Sequence, residues 1–289
     1  MRFLARAPGK VNLGLRLGPT RADGRHQLAT VFQSVSLADE LTLTVEGQRD
    51  VVHCPGVAGE NLAASALAEL RRRGWAAPPV RIEIAKRVPV AAGMGGGSGD
   101  AAATLRLADA VEPVAPAVLS EVAAELGADV PGQLRPGVSL GTGAGERVEP
   151  LAPLAAHAYV IMPAASSLAT PAVFAEADRL GLPRQARELH AWIAHVREAM
   201  SGGRLPGELL VNDLEPAAIA LAPELAPTLR RVVGAGAEHA LVCGSGPTVA
   251  GLFWGSDAGA RAAGAAAELG PPAVVVRPVG AGFAAPSPA

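Results

Sequence analysis

Residues 89–105, Pro89-Val-Ala-Ala-Gly-Met-Gly-Gly-Gly-Ser-Gly-Asp-Ala-Ala-Ala-Thr-Leu105, join an apolar segment, a glycine-rich loop and an alanine-rich run typical of a helix. The glycines at 93, 95, 96 and 97 remove side chains that would hold a ligand away from the backbone. We expect Ser98 or Asp100 to cap the helix, whose free N–H groups and dipole would face the loop. This arrangement suits a polyphosphate; the simpler alternative is a flexible glycine-rich turn.

The loop matches neither of the two common phosphate-binding fingerprints. No Lys-Ser or Lys-Thr pair follows the glycines, which excludes a Walker A loop. The unit that follows lacks the strand and the acidic residue that a dinucleotide-binding fingerprint requires.

The composition bounds the class of protein. The chain has 289 residues, of which 49% are apolar and only 3% aromatic, so we expect a core of Ala, Val and Leu. The formal net charge of -2 provides no basic surface of the kind that nucleic-acid-binding proteins usually carry.

The cysteines and the apolar runs indicate where the protein is found. Cys54 and Cys243 are far apart in the sequence and do not have the spacing of zinc ligands, which indicates free thiols. The apolar part of the N-terminal segment is too short for a signal peptide, and no run reaches the ~20 apolar residues of a membrane span, so we expect a cytoplasmic protein with no membrane partner.

Strand and helix patterns alternate irregularly along the chain, which favours an α+β fold. A turn at Pro8-Gly9-Lys10 is expected to separate strands 2–7 and 11–17, and residues 60–73 have helical spacing that ends at Gly74. The predicted domains are residues 1–152 and 153–280, with a disordered tail over 281–289.

Three further clusters could carry chemistry, and each has a simpler interpretation. Lys10 follows a Pro-Gly turn, where a solvated side chain is usual. Asp129, in Leu126-Gly-Ala-Asp-Val-Pro131, reads from this segment alone as a cap or turn former. The third, Cys243-Gly-Ser-Gly-Pro-Thr248, is an ordinary turn between strands when taken alone.

Taken together and in this order, these motifs resemble the GHMP kinase superfamily. The matching segments are Ala7-Pro-Gly-Lys10, the glycine loop and Gly244-Ser-Gly-Pro-Thr248. The resemblance implies two domains, the N-terminal one like ribosomal protein S5 domain 2 and binding ATP, the C-terminal one ferredoxin-like, with the active site in the cleft between them.

Additional segments are similar to one family within that superfamily, the 4-diphosphocytidyl-2-C-methyl-D-erythritol kinases. They are Asp23-Gly-Arg-His26, Phe32-Gln33, Asn61-Leu62, Gly95-Gly-Gly97, Leu126–Pro131 and Asn212-Asp-Leu-Glu215. The implied reaction moves the γ-phosphoryl group of ATP, with Mg²⁺, to the 2-hydroxyl of that small molecule, in the non-mevalonate route to isoprenoid precursors.

The resemblance also implies roles for individual residues. Asp129 is the expected general base, and Lys10 would lie beside it and favour the developing alkoxide. The ATP site would comprise Asn61, Lys86, Gly93, Met94, Gly95, Gly96, Gly97, Ser98 and Gly99. Asn61 and Lys86 would line the adenine pocket, and Ser98 is a candidate Mg²⁺ ligand. The simpler interpretation of Lys86 is a solvated strand end.

The substrate would contact Asn12, Arg25, His26, Thr170 and Phe174, the last four at its cytidine end. His26 would read the base by hydrogen bonds, while Phe174 could equally be a core residue of a helix over 171–179. Two positions depart from the family pattern. Arg25 replaces the usual tyrosine, and its guanidinium plane can stack on a base. Gly99 replaces a serine, which removes one hydroxyl from the expected phosphate side.

Other functions remain open from the sequence. A GHMP kinase acting on homoserine, mevalonate or a sugar is disfavoured by the Asp23–His26 segment and the triple glycine. A non-catalytic nucleotide-binding relative is disfavoured because both Lys10 and Asp129 are present, and an RNA-binding protein by the acidic charge balance. The apolar helix faces suit a monomer or a homodimer equally well.

Overall fold

The structure is a computed structural model that describes residues 1–57, 59, 61–164 and 166–289. Long antiparallel strands build the first half of the chain, and shorter strands alternate with helices in the second half. The strands are β1 (Arg2–Thr20), β2 (His26–Val45), β3 (Val51–His53), β4 (Val80–Ala85), β5 (Val138–Thr142), β6 (Arg147–Pro150), β7 (His157–Met162), β8 (His239–Val242), β9 (Val249–Trp254), β10 (Val274–Val276) and β11 (Ser287–Pro288).

The helices cover the faces of the two sheets. They are α1 (Leu62–Arg72), α2 (Gly96–Val111), α3 (Pro116–Leu126), α4 (Val130–Leu134), α5 (Thr170–Arg179), α6 (Ala186–Met200), α7 (Glu215–Leu221), α8 (Leu225–Gly234) and α9 (Ala258–Leu269). No helix in the described part of the chain is both long and apolar enough to cross a bilayer. The predicted α+β class is confirmed.

The first sheet has the order β11-β1-β2-β4-β3, with β5 paired to β2 and β6 paired to β5. Strand β4 has the sequence Val-Arg-Ile-Glu-Ile-Ala and buries every second residue, as its alternation requires. Helix α1 packs its buried Ala63, Ala66, Leu67 and Leu70 into the core beside this sheet.

The predicted turn at Pro8-Gly9-Lys10 is wrong. Strand β1 continues through these residues, and its pairing with β2 shifts register between Pro8 and Lys10. A register shift of this kind accommodates Pro8, which has no N–H to donate to the ladder. The irregularity places the side chain of Lys10 in the interior, where the residue is 5% exposed.

The second sheet has the order β10-β7-β9-β8, and it begins at His157, after the first sheet's β6 ends at Pro150. The two sheets share a hydrophobic core, because residues of β1 and β2 pack with those of β7, β9 and α6. Members of this core include Val11, Leu13, Val31, Tyr159, Ile161, Trp192 and Leu252.

The predicted disordered tail is ordered in the structure. Residues Ala281–Ala284 form a 3-10 helix, and Ser287–Pro288 pair with the edge of β1. Arg106 on α2 donates to the carbonyl oxygen of Ala284, and the guanidinium of Arg6 lies 4.8 Å from the ring centroid of Phe283. The Ala, Pro and Ser composition is typical of disorder, but the unpaired edge of β1 supplies hydrogen-bond partners that composition does not reveal.

Candidate active site

A cavity of about 1090 Å³ lies between the parts of the molecule that carry the two sheets. Side chains of β1 and β2 and the glycine loop form one wall, and α5 with the turn after β8 forms the other. Most of the predicted site residues line it: Lys10, Asn12, Arg25, His26, Asn61, Lys86, Gly93, Gly95, Gly96, Gly97, Ser98, Asp129, Thr170 and Phe174. The structure therefore brings together residues that are up to 164 positions apart in the sequence, from Lys10 to Phe174.

Lys10 and Asp129 face each other on this cavity. The Lys10 Nζ atom donates a hydrogen bond of 2.7 Å to Asn12 Oδ1 and lies 3.5 Å from Asp129 Oδ2. Asn12 is fixed in turn, because its Nδ2 donates to Thr30 Oγ1 at 2.9 Å. A buried cation is thus held in one position beside a carboxylate whose side chain is 42% exposed and open to a ligand.

Asp129 precedes the short helix α4, the position of a cap. Its side chain makes no capping hydrogen bond, and its carboxylate is directed to Lys10 instead. The simpler interpretation of Asp129 as a cap is therefore not what the geometry shows. A carboxylate that is partly exposed and makes no capping hydrogen bond can accept a proton from a bound hydroxyl.

The glycine loop adopts backbone conformations that side chains would prevent. Gly93 has a φ of +78°, and a Cβ there would lie 2.1 Å from the carbonyl oxygen of Cys243. Gly95 has a φ of +67° and precedes helix α2. A Cβ on Gly95 would lie 3.2 Å from Lys10 Cε, so the loop passes directly along the Lys10 side chain.

Helix α2 begins at Gly96, so the expectation that Ser98 or Asp100 caps it is wrong: the cap position is Gly95, with no side-chain hydrogen bond. The backbone N–H groups of Gly96, Gly97 and Ser98 have no acceptor among the residues that the structure describes. All three residues line the cavity. Three free N–H groups at a helix start form a site for an anion.

Two predicted loop residues lie off the cavity wall. Met94 is fully buried, and its carbonyl oxygen accepts a hydrogen bond from the Lys10 backbone N–H. Gly99 packs on β1, and a Cβ at this position would lie 3.1 Å from the carbonyl oxygen of Pro8. The Cα–Cβ bond of a serine at position 99 would point toward β1 and not toward the cavity. Glycine at this position therefore removes no hydroxyl from the side of the loop that faces the cavity.

Lys86 lies at the cavity, but its ammonium group is bound by two buried carboxylates. The Nζ atom donates to Asp39 Oδ2 and, at 2.7 Å, to Asp100 Oδ2. Burial raises the pKa of Asp100 to about 7, although Lys86 opposes the shift. Burial lowers the pKa of Lys86, but Asp100 and Asp39 outweigh it, and the net direction is upward. Lys86 is neither solvated nor free, and its Nζ supports the loop at Gly96, where a Cβ would lie 3.3 Å away.

Asn61 stands at the edge of the cavity and caps helix α1. Its Oδ1 accepts a hydrogen bond of 2.9 Å from the Ala63 backbone N–H. Sequence reasoning assigned this residue to the adenine pocket and did not foresee the capping role, although asparagine before a helix is a common cap.

The opposite end of the cavity holds several of the predicted substrate residues. The ring centroids of His26 and Phe174 are 5.5 Å apart. Thr170 lies nearer to Lys10, because its Oγ1 is 3.0 Å from Oγ of Ser245, the residue after Gly244. Arg25 points its guanidinium at Asp23, with N–O distances of 3.2 and 3.3 Å, and its side chain is 53% exposed. The backbone N–H and the side chain of Arg25 lower the pKa of Asp23. Arg25 thus lines the cavity with its guanidinium bound to Asp23.

The segment Asn212–Glu215 supports the cavity from behind. Asn212 Nδ2 donates to the carbonyl oxygens of Val242 and Gly244, each at 2.8 Å. This holds the Gly244 turn against the first wall, where a Cβ on Gly244 would lie 3.2 Å from both Asn12 Oδ1 and Lys10 Nζ.

Sequence reasoning missed several residues of the site. Asp39 and Asp100 hold Lys86, and Asp178 binds His26 at the opposite end. Asp178 follows Phe174 by four residues on α5, a spacing that places both on one helix face and could have revealed it. Asp39 gave no such signal, since its partners Lys86 and Val88 lie 47 and 49 positions further along the chain.

Two family models match the chain. The GHMP kinases N terminal domain matches residues 61–137, and the GHMP kinases C terminal domain matches residues 193–272. Among homologues, the 4-diphosphocytidyl-2-C-methyl-D-erythritol kinase of Kineococcus radiotolerans is 44% identical over 89% of this chain and 83% of its own length. The protein of that name from Streptomyces coelicolor is also 44% identical, over 89% of each chain.

Solved structures give the same result. A crystal structure of 4-(cytidine 5'-diphospho)-2C-methyl-D-erythritol kinase is 34% identical, with a TM-score of 0.76 over 95% of this chain and 99% of that one. Homoserine kinase from Cytophaga hutchinsonii, at 18% identity and a TM-score of 0.70, shares the fold. The chain therefore belongs to the GHMP kinases and, within them, to the family of 4-diphosphocytidyl-2-C-methyl-D-erythritol kinases.

Proposed function

We propose that this chain transfers the γ-phosphoryl group of ATP to the 2-hydroxyl of 4-diphosphocytidyl-2-C-methyl-D-erythritol, with Asp129 as the general base. The single observation that carries the proposal is the juxtaposition at Gly95. There the glycine loop runs along Lys10, which lies 3.5 Å from the Asp129 carboxylate. The Lys10 ammonium group is therefore close both to the proposed anion-binding loop and to Asp129, the candidate base.

Phosphoryl transfer requires mainly positioning and charge stabilisation. The free N–H groups of residues 96–98 would hold phosphate oxygens, and Lys10 would stabilise negative charge on the acceptor oxygen and the transferred group. Asp129 would accept the hydroxyl proton as the oxygen attacks phosphorus and the bond to the β-phosphate oxygen breaks. Lys10 is held by Asn12, so its ammonium group needs no rearrangement when the acceptor arrives.

The residues present fit a magnesium ion held mainly by the nucleotide. Within the described residues, no cluster of three or more His, Cys, Asp or Glu side chains could hold a metal. Magnesium commonly keeps several waters and uses phosphate oxygens, and the Ser98 hydroxyl on the cavity wall would be its protein ligand. When bound, the ion would neutralise charge on the phosphates.

The other end of the cavity accommodates the cytidine group in this proposal. His26 would supply hydrogen bonds to the base and Phe174 an apolar wall, while Thr170 would supply a hydroxyl nearer to Lys10. Arg25 would act on this end from the rim, together with Asp23.

The reaction is tested by incubating the protein with ATP, Mg²⁺ and the cytidine substrate and following the ³¹P spectrum. We expect a new phosphomonoester resonance together with ADP. Intact ATP binding without product would overturn the acceptor assignment, and a panel of homoserine, mevalonate and sugars would then identify the acceptor.

The role of Asp129 is tested by Asp129→Asn, which keeps the side chain's shape and removes its basicity. We expect kcat to fall ~10²–10⁴-fold, the usual contribution of a general base, with little change in the Kd for ATP. Glu121→Gln on α3, an exposed partner of Arg73, is the matched control and should keep full activity. Turnover in Asp129→Asn equal to that of the control would refute the assignment.

A further inference from the structure

Asp178 contacts the Nε2 atom of His26. Whether Nε2 carries a proton determines whether the other ring nitrogen, Nδ1, is a hydrogen-bond donor or an acceptor. His26 Nε2 lies 2.8 Å from Asp178 Oδ1 and 3.3 Å from Thr20 Oγ1. An ionised carboxylate can only accept hydrogen bonds, so the shorter contact requires a proton on Nε2. In the neutral imidazole, Nδ1 is then left without a proton and acts as an acceptor.

The surroundings hold this arrangement in place. His26 is 7% exposed at the start of β2, while Phe174 and Asp178 lie one turn apart on α5 and both line the cavity. The Phe174 ring packs at 5.5 Å from the His26 ring, and Asp178 fixes the ring's far nitrogen. One helix therefore supplies both an apolar wall and the group that orients the histidine.

We propose that Asp178 is a positioning residue that selects cytosine over uracil by holding His26 with Nδ1 as an acceptor. The proposal rests on the proposed function, since it assumes that a cytidine group occupies this end of the cavity. Cytosine presents an N4 amino donor where uracil presents a carbonyl acceptor. An Nδ1 acceptor can accept a hydrogen bond from the N4 amino group of cytosine. With uracil, the lone pairs of Nδ1 and of the carbonyl oxygen would face each other, which is unfavourable in a buried site.

The test compares the native chain with Asp178→Asn on two substrates, the cytidine compound and its uridine counterpart. An asparagine can accept from Nε2–H or donate to a bare Nε2, so it permits both His26 tautomers. We expect the ratio of kcat/KM for the cytidine compound over the uridine compound to fall at least ~10-fold, mainly through KM. The reason is that His26 would then be a mixture of two tautomers, only one of which can accept a hydrogen bond at Nδ1. Glu176→Gln, on the same helix and paired with Arg179, is the matched control and should keep the native ratio.

A spectroscopic readout separates orientation from simple loss of structure. Two-bond ¹H–¹⁵N correlation of the six histidines, with His26 assigned through His26→Gln, reports which ring nitrogen carries the proton. We expect the Nε2–H tautomer in the native chain and a mixture in Asp178→Asn. A ring protonated on both nitrogens at the assay pH, or a native ratio in Asp178→Asn, would overturn the proposal. Failure of the native chain to phosphorylate the cytidine compound would instead overturn the proposed function and is seen before any variant is made.

Discussion

Two lysines on the same cavity have opposite surroundings. Lys10 donates to a neutral amide and lies 3.5 Å from Asp129, a carboxylate whose side chain is 42% exposed. Lys86 is enclosed between Asp39 and Asp100, whose side chains are 0% and 4% exposed. The charge of Lys10 remains available to a ligand, while that of Lys86 is neutralised inside the protein. A lysine on this cavity is therefore a candidate for catalysis only where its charge is not already bound by buried carboxylates.

The largest effect on activity is expected for Lys10→Met, which tests whether the charge of Lys10 acts in catalysis. We expect kcat to fall ~10²–10³-fold, since a fixed charge that stabilises the transition state is lost. The free energy of unfolding should change by only ~1 kcal/mol, because Asp129 is open to water and Asn12 loses one hydrogen bond. Steady-state kinetics and urea unfolding of the same preparation measure both. A large loss of stability with near-native kcat would reverse the assignment.

Lys86→Met should produce the opposite pattern. It leaves two buried carboxylates without their cation, and we expect the free energy of unfolding to fall by ~3–5 kcal/mol. The folded fraction should retain a kcat within about tenfold of native, because the Lys86 ammonium group is already bound by Asp39 and Asp100. Arg87→Met, an exposed neighbour paired with Glu40, serves as the control and should shift stability by less than ~0.5 kcal/mol.

A third test of the comparison uses the pH dependence of stability. Burial raises the pKa of Asp100 to about 7, above the ~3.9 of an unfolded aspartate. The stabilisation from this raised pKa is complete below pH ~4 and is lost as pH rises through about 7. The native chain should therefore lose stability relative to Asp100→Asn between these values, by at most ~1.4 kcal/mol per pH unit.

Unfolding of both chains in urea across this pH range checks the slope. Thr104→Val, one turn along α2 and fully buried, carries no titrating group and should follow the native chain. A constant difference between Asp100→Asn and the native chain at every pH would show that folding does not raise the pKa of Asp100.

Sequence motifs contain most of the predicted residues that line this cavity, while the contacts that support them are visible only in the folded chain. Lys10, Asp129 and the glycine loop belong to short segments whose order along the chain is recognisable. The helix over residues 60–73 was predicted from periodicity, which local sequence encodes. The register shift at Pro8 and the pairing of the tail depend on contacts with distant residues, and no local pattern reveals them.

The same reason explains the residues that were missed. Asp39 is buried because its carboxylate accepts the backbone N–H of Val88, 49 positions away, and binds Lys86. Gly99 was expected to face the phosphate, but the helix starts at Gly96, so the residue's Cα faces β1. The observed cap, Gly95, lies three residues before Ser98 and five before Asp100, so Gly99 belongs to the first turn of the helix and not to the loop.

The close approach of Gly93 to Cys243 has a consequence for the thermodynamics of ligand binding. The carbonyl of Ala92 also accepts a 3.3 Å hydrogen bond from the Thr248 N–H, so the loop's backbone is fixed to the second sheet before any ligand arrives. A ligand that binds such a loop displaces water but orders little backbone, and its conformational entropy loss is small. Glycine usually makes a loop flexible. Gly93 instead allows close packing against the second sheet, which would make the proposed anion site rigid.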